Sequence, residues 1–312
     1  MGGYYSEPSI VEVTGALSMI PVTELAQQAI NGLVMGGVYA LIALGLTLIF
    51  GILDQVNFAH GELYMVGAYA TLYFFEFSGG NYTFALIFAM VAVAFLGLFY
   101  EWLLFRPLRG MGHLPAIIAS LGASIFLWNL GLLVFGSTPR QMRTGLSEVT
   151  LNFLGISLTV QRLIVLIVTL VLIIGLYLMI MKTRMGKAMR AMAQDPEVAA
   201  LLGININRIA ELTFIIGGAL AAAAGALIGP IFLIYPAMGL TACLKAFVVV
   251  ILGGLGNVPG AVIAGFALGV IESLGAGFIS SAYKDVFAFL VLILVLWARP
   301  EGILGKTAKK IG

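Results

Sequence analysis

Nine stretches of this chain are apolar almost without interruption, each for about the length that a bilayer demands. They run over residues 26–52, 61–77, 83–105, 114–135, 163–181, 209–229, 240–256, 258–277 and 281–298. A membrane-crossing helix needs ~20 mostly apolar residues. A membrane-spanning strand would alternate apolar and polar residues, and these runs do not alternate. Composition agrees: the 312 residues are 61% apolar and 10% charged, whereas a soluble domain carries about 25% charged residues. Water cannot wet such a surface, but lipid favours it. The expected fold is therefore all-α, a polytopic transmembrane helix bundle of about nine spans, with eight to ten as the range. The runs at 61–77, 240–256 and 258–277 are short or glycine-rich, which suits broken or re-entrant helices. Irregular backbone is tolerated at membrane depth only where it is buried in protein or lines a cavity.

The cations set an orientation. No Lys or Arg precedes Arg106. Most of the sixteen then fall in three places: Arg106 and Arg109; Lys182, Arg184, Lys187, Arg190 and Arg208; and Arg299, Lys306, Lys309 and Lys310. Cytoplasmic loops are enriched in Lys and Arg, so all three groups are expected inside. Nine spans with the C-terminus inside leave the N-terminus outside, in keeping with the acidic Glu7, Glu12 and Glu24. Arg140, Arg143 and Arg162 then lie on the outer face, against the rule. The expected organisation is an extracytoplasmic extension over 1–24, a transmembrane domain over 25–300 with a cytoplasmic loop over 182–208, and a cytoplasmic tail over 301–312.

Several chemistries are not expected. Cys243 is the one cysteine, and His60 and His113 stand alone in the sequence. No metal site, catalytic group or cofactor is expected from them. Gly302-Ile-Leu-Gly-Lys-Thr307 ends like a phosphate-binding loop, but that motif needs Gly where Pro300 stands. A net charge of +2 gives no reason to expect nucleic acid as a partner.

Small residues recur every four positions at Gly217, Ala221, Gly225 and Gly229, again at Ala261, Gly265, Gly269, Ser273 and Gly277, and more briefly at Gly32 and Gly36. Membrane helices approach closely across such ridges. Polar residues are few. Asn57, His60 and Glu62 sit between two apolar runs, either at depth facing a cavity or in a polar turn at the interface. Lys245 and Glu272 lie within spans and can pair across the Gly253–Gly260 turn. These five are the candidates for a translocation path. In the 182–208 loop, Asp195-Pro196 is a helix start with Asp as N-cap and Pro at the first helical position. The short helix Pro196–Leu202 is expected to stop at Gly203. It is too short to span, and a solvated loop gains nothing from Val198, Leu201 and Leu202.

That loop resembles the coupling segment of ABC-importer permeases, in which a short helix sits in a cleft of the ATPase. A wider set of motifs is similar to the branched-chain amino-acid permease family, H-type subunit. It comprises Val38-Tyr-Ala-Leu-Ile-Ala-Leu-Gly-Leu-Thr-Leu-Ile-Phe-Gly51, Val56-Asn-Phe-Ala-His-Gly-Glu62, Arg184-Met-Gly-Lys-Ala-Met-Arg190, Leu201-Leu-Gly-Ile204, the run from Lys245 to Ala261, Tyr283-Lys-Asp285 and Arg299-Pro-Glu-Gly-Ile-Leu-Gly305. The resemblance covers about residues 26–305. It implies a permease of the bacterial inner membrane without an ATPase site of its own. Its implied partners are a second homologous permease, two cytoplasmic ABC ATPase subunits, a periplasmic amino-acid-binding protein and membrane lipid. It also implies that Arg190, Asp195, Pro196, Ala199, Ala200, Leu201 and Gly203 couple the chain to the ATPase. A urea or short-amide permease of the same superfamily, and a stand-alone secondary transporter, are the alternatives.

Overall fold

The computed structural model describes residues 22–153 and 155–305. Most of the expected outer extension, and the tail with Lys306, Thr307, Lys309 and Lys310, lie outside these residues. Eleven helices are used below. They are α1 (Val22–Leu53), α2 (His60–Phe77), α3 (Tyr82–Tyr100), α4 (His113–Phe135), α5 (Val160–Lys182), α6 (Arg184–Gln194), α7 (Pro196–Leu201), α8 (Ile206–Ile228), α9 (Met238–Gly253), α10 (Val258–Phe278) and α11 (Lys284–Ala298). Helix α3 continues through a π-helical turn, Glu101–Phe105, and a short α turn, Arg106–Leu108.

Seven of the helical stretches are long and apolar enough to cross a membrane: α1, α3 extended to Leu108, α4, α5, α8, α10, and α11 with its lead-in from Ser281. Helix α9 is a shorter apolar helix, and α2 has 18 residues. Together these nine occupy the nine apolar runs. Two elements escape a hydropathy scan. Residues Thr150–Phe153 (β1) and Ile156–Thr159 (β2) form an antiparallel hairpin, turning where Gly155 takes a positive φ of 83°. Their apolar-polar alternation is a period-2 signal too short to stand out among long apolar runs. Helix α6 is the second: Gly186, Met189 and Met192 form its one buried face, a helical spacing hidden by the surrounding Lys and Arg.

Helices α1, α2, α8 and α9 form the centre of the bundle, where Leu41, Ile42, Leu44, Ile49, Leu63, Met65, Phe214 and Leu227 are fully buried. Closeness comes from the small-residue ridges. A Cβ on Gly36 would stand 2.7 Å from Phe266 Cα, and one on Gly265 would stand 2.8 Å from Ala40 Cβ. Gly269 faces the backbone of Gly32 and Gly36 still more closely. Across α8, Gly225 lies on the backbone of Tyr64 and Ala68, and Gly217 faces Gly45. Backbone, not a movable side chain, fills the space at Gly269. Gly269→Val is therefore expected to separate α1 from α10 at a cost at the top of the ~1–3 kcal/mol usual for overpacking. A loss of the monodisperse peak in detergent chromatography would register it, and an unchanged profile and melting midpoint would count against the packing described.

Contacts between connecting segments define the two ends of the bundle. At one end His113 Nδ1 lies 2.9 Å from Asp54 O, Arg109 Nη1 donates to Asn207 Oδ1 at 2.6 Å, and Gly256 abuts Gly51. At the other, Arg140 and Ile234 exchange backbone hydrogen bonds of 2.8 Å, and Gln27 bonds to the hairpin at Ser157. Helices α6 and α7 belong to the first end.

Helices α2 and α9 do not begin at these ends. Phe58 N donates to Ser120 Oγ at 3.2 Å, and Ser124 Oγ donates to Glu62 Oε1 at 3.1 Å. At 1.5 Å per residue, Ser120 and Ser124 lie about 10 and 16 Å along α4 beyond His113. The linker 54–59 therefore enters the bundle before α2 starts. From the opposite side, the 229–237 segment descends so that Gly239, at the start of α9, packs on Gly61, at the start of α2. Two helix starts thus meet inside the protein, the one setting in which broken helices are tolerated.

Candidate functional site

The 183–205 segment is built from strong local signals. Thr183 caps α6 by accepting from Gly186 N at 3.0 Å. Gly186 lies directly on the carbonyls of Met179 and Ile180, an approach no side chain would permit, so the chain folds sharply back on α5. Arg190 secures the fold-back by donating to Ile180 O. Asp195 then caps α7, accepting from Glu197 N at 2.9 Å and Val198 N at 3.0 Å, with Pro196 at the first helical position. At the other end Gly203 takes a φ of +82°. Its N–H reaches Ala200 O at 2.9 Å while Ile204 N reaches Ala199 O at 3.0 Å. That is a Schellman stop, and glycine suits its left-handed residue. The expected helix to Leu202 ends one residue sooner, with Leu202 as C-cap.

On α7 only Ala199 is buried. Leu201 is 87% exposed and Leu202 75%, with Val198 beside them. Pro196 and Ala200 are exposed as well. The six-residue helix thus uses one side chain to seat itself and presents an apolar edge away from its own bundle. Contiguous exposed apolar surface is a feature of interaction sites. The cap should govern the shape of that edge. Asp195→Ala is expected to weaken α7 by ~1 kcal/mol, read as faster amide exchange at 197–202 with the rest of the bundle unchanged.

The five intramembrane candidates fall into two groups. Asn57, His60 and Glu62 are all fully enclosed. Asn57 Oδ1 accepts from Ala59 N at 3.0 Å, closing the turn into α2. His60 fills the space over Gly45, where a Cβ would stand 2.5 Å from its Nε2. These residues are enclosed within the bundle rather than set in a turn on its surface. Lys245 and Glu272 form the second group. Lys245 Nζ lies 3.0 Å from Glu272 Oε1, 2.8 Å from Asp285 Oδ1 and 3.3 Å from Tyr39 Oη, and Tyr39 donates to Glu272 Oε2 at 2.7 Å. Lys284 Nζ approaches Glu272 at 3.8 Å. Tyr39, Lys284 and Asp285 were not singled out as site residues. The charged pair that opens the last apolar run was the available signal.

Two cavities adjoin the second group, at the end opposite α6 and α7. The smaller, about 130 Å³, is lined by Gln28, Asn31, Arg162 and Ser273 among others. The larger, about 350 Å³, has Val38, Ile42, Ile228 and Met238 on its apolar wall, with Tyr39, Tyr64, Tyr235, Thr241 and Lys245. Met35, Phe232 and Lys284 line both. Asn57, His60 and Glu62 line neither.

Comparison with known proteins supplies the wider setting. Residues 28–296 match the family described as "Branched-chain amino acid transport system / permease component". High-affinity branched-chain amino acid transport system permease protein LivH of Escherichia coli (strain K12) is 42% identical over 297 residues, which cover 90% of this chain and 95% of that protein. The corresponding protein BraD of Pseudomonas aeruginosa is 41% identical over 295 residues, with the same coverage. Permease protein LivM of Escherichia coli (strain K12) is more distant, at 23% over 298 residues, covering 88% of this chain and 69% of that one. These are permeases rather than enzymes, and with residues 28–296 matched the chain belongs to the branched-chain amino acid transport permease family.

Proposed function

We propose that the chain is one of two permease subunits of an ABC importer that carries branched-chain amino acids across the bacterial inner membrane. Two cytoplasmic ATPases, a second homologous permease and a periplasmic binding protein complete it. The observation that carries this reading is α7, a short helix capped at both ends that turns Val198, Leu201 and Leu202 away from the bundle. A transporter with its own energy source has no use for such an edge. A permease moved by a separate ATPase needs one. Closure of the ATPase dimer would push α7 as a rigid body against the ends of α5 and α8. Arg190, Asp195, Pro196, Ala199, Ala200, Leu201 and Gly203 are its coupling residues, and the chain itself has no ATPase site.

The cations around α6 favour this end as cytoplasmic, giving N-terminus out and C-terminus in. Residues 1–24 are then an extracytoplasmic extension and 301–312 a cytoplasmic tail. The substrate reading is supported by the likeness to LivH and BraD, whose names specify branched-chain amino acids. No comparable support favours the urea or short-amide alternative.

Co-purification with candidate ATPase subunits, followed by uptake of labelled leucine and urea into vesicles with and without ATP, tests the reading. Leucine uptake that needs both ATP and the binding protein is expected. Uptake driven by an ion gradient without ATPase subunits would replace the proposal with a secondary transporter.

A further inference from the structure

Lys284 is unlike its neighbour in the charged cluster. Lys245 directs its ammonium at Glu272, Asp285 and the Tyr39 hydroxyl, so its three donors are committed. Lys284 Nζ has only Glu272, at 3.8 Å, beyond hydrogen-bond range. Its ammonium sits 5.8 Å from the centroid of the Phe232 ring. Among the described residues it makes no hydrogen bond, and its side chain is 29% exposed. It lines both cavities. On one side are Gln28, Asn31, Ser273 and the Arg162 guanidinium, which donates to Asn31 Oδ1, such as would receive a hydrated polar solute. On the other are Met35, Val38, Ile42, Ile228 and Met238.

We propose that the two adjacent cavities are a binding station for a free zwitterionic aliphatic amino acid, with the Lys284 ammonium receiving its carboxylate. This rests on the importer reading above and locates the substrate within this chain. A cation with unspent donors beside a low-dielectric wall is a carboxylate receptor, and charge-assisted bonds of this kind are about twice as strong as neutral ones. The aliphatic wall takes the branched side chain. The hydroxyls of Tyr64, Tyr235 and Thr241 are the acceptors available to the ammonium of the ligand. At about 350 Å³ the larger cavity is of small-molecule size, near the lower bound of the ~300–1,000 Å³ usual for such sites. Glu272 and Asp285 hold Lys245 in place, leaving Lys284 to the solute.

The test uses the complete importer. Cys243 is the one cysteine of this chain and is buried. Leu233 lines the larger cavity and is half exposed, so Leu233→Cys gives this chain one accessible thiol there, and labelling is read on this chain alone. Its rate of modification by a small methanethiosulfonate reagent is measured with L-leucine, with leucine amide, which lacks the carboxylate, and with neither. Labelling follows the unoccupied fraction, so L-leucine at about ten times its dissociation constant is expected to slow it about tenfold. Leucine amide at the same concentration, about tenfold weaker for want of one charge-assisted bond, protects poorly. In the same background Lys284→Met should abolish protection and Lys284→Arg retain it. Equal protection by the amide, or protection that survives Lys284→Met, overturns the proposal. So does an absence of leucine protection in an importer that still takes up leucine. If the wild-type importer takes up no leucine, the importer reading falls and this inference with it.

Discussion

Leu201→Glu is expected to abolish ATP-driven uptake while leaving the bundle folded. Leu201 is almost fully exposed and seats nothing within its own chain, since α7 is anchored through Ala199. A surface substitution away from buried features moves stability by only about 0.5 kcal/mol. The same substitution would place a carboxylate in the apolar pocket of a partner, where an unpaired charge is costly. Truncating an interface anchor typically costs 2 kcal/mol or more, so the ATPase should bind at least about tenfold more weakly. Three measurements separate the alternatives. Chromatographic profile and melting midpoint in detergent should match wild type, co-purified ATPase should fall, and leucine uptake should drop to background. Normal uptake by Leu201→Glu would remove α7 from the coupling path. Met185→Glu, at an exposed apolar position in the first turn of α6, makes the same change of charge and serves as the control.

How much of this was legible in sequence depends on the distance over which each feature is determined. The α7 helix is fixed by neighbours in the chain: Asp195, Pro196 and Gly203 specify its two ends, and each does so through its own backbone. The nine helices are likewise set by local hydropathy, and their ends fall within a few residues of the apolar runs. The Lys245–Glu272 pair was legible because two lone charges in apolar spans must find each other. Its surroundings were not. Tyr39 lies 206 positions from Lys245, and their hydrogen bond depends on how α1 packs on α9 and α10. The depth of Asn57, His60 and Glu62 was undecided for the same reason. A polar turn between apolar runs reads alike at the surface and in the interior, and only the contacts to Ser120, Ser124 and Gly239 separate the two. The ridges at Gly32, Gly36, Gly265 and Gly269 were visible as spacing, but their pairing of α1 with α10 required the fold.

The second large effect is expected at Glu272, and its sign changes with the number of charges removed. Glu272 is fully buried and receives Tyr39, Lys245 and, more distantly, Lys284. Glu272→Met leaves the Lys245 ammonium enclosed with Asp285 as its one remaining carboxylate among the described residues. Breaking a buried pair by removing one partner costs ~3–5 kcal/mol, because the surviving charge stays desolvated. Retention of Asp285 puts this case at the lower bound. Lys245→Met alone should be as damaging, since it leaves Glu272 enclosed with only Tyr39 and the more distant Lys284. The double variant Lys245→Met/Glu272→Met removes both buried charges. It leaves Lys284 and Asp285, which have water within reach: their side chains are 29% and 61% exposed. Replacing a buried ion pair by apolar residues of similar volume is often neutral or stabilising, so the double variant should melt above either single one. Thermal unfolding of the four proteins in one detergent gives the ranking directly. A double variant no more stable than the worse single variant would mean that the Tyr39–Glu272 bond, rather than charge compensation, holds α1, α9 and α10 together. Transport adds a separate axis, because the double variant keeps Lys284. Restored folding with restored leucine uptake would make Lys245 and Glu272 a structural pair. Restored folding without uptake would make them part of the passage itself.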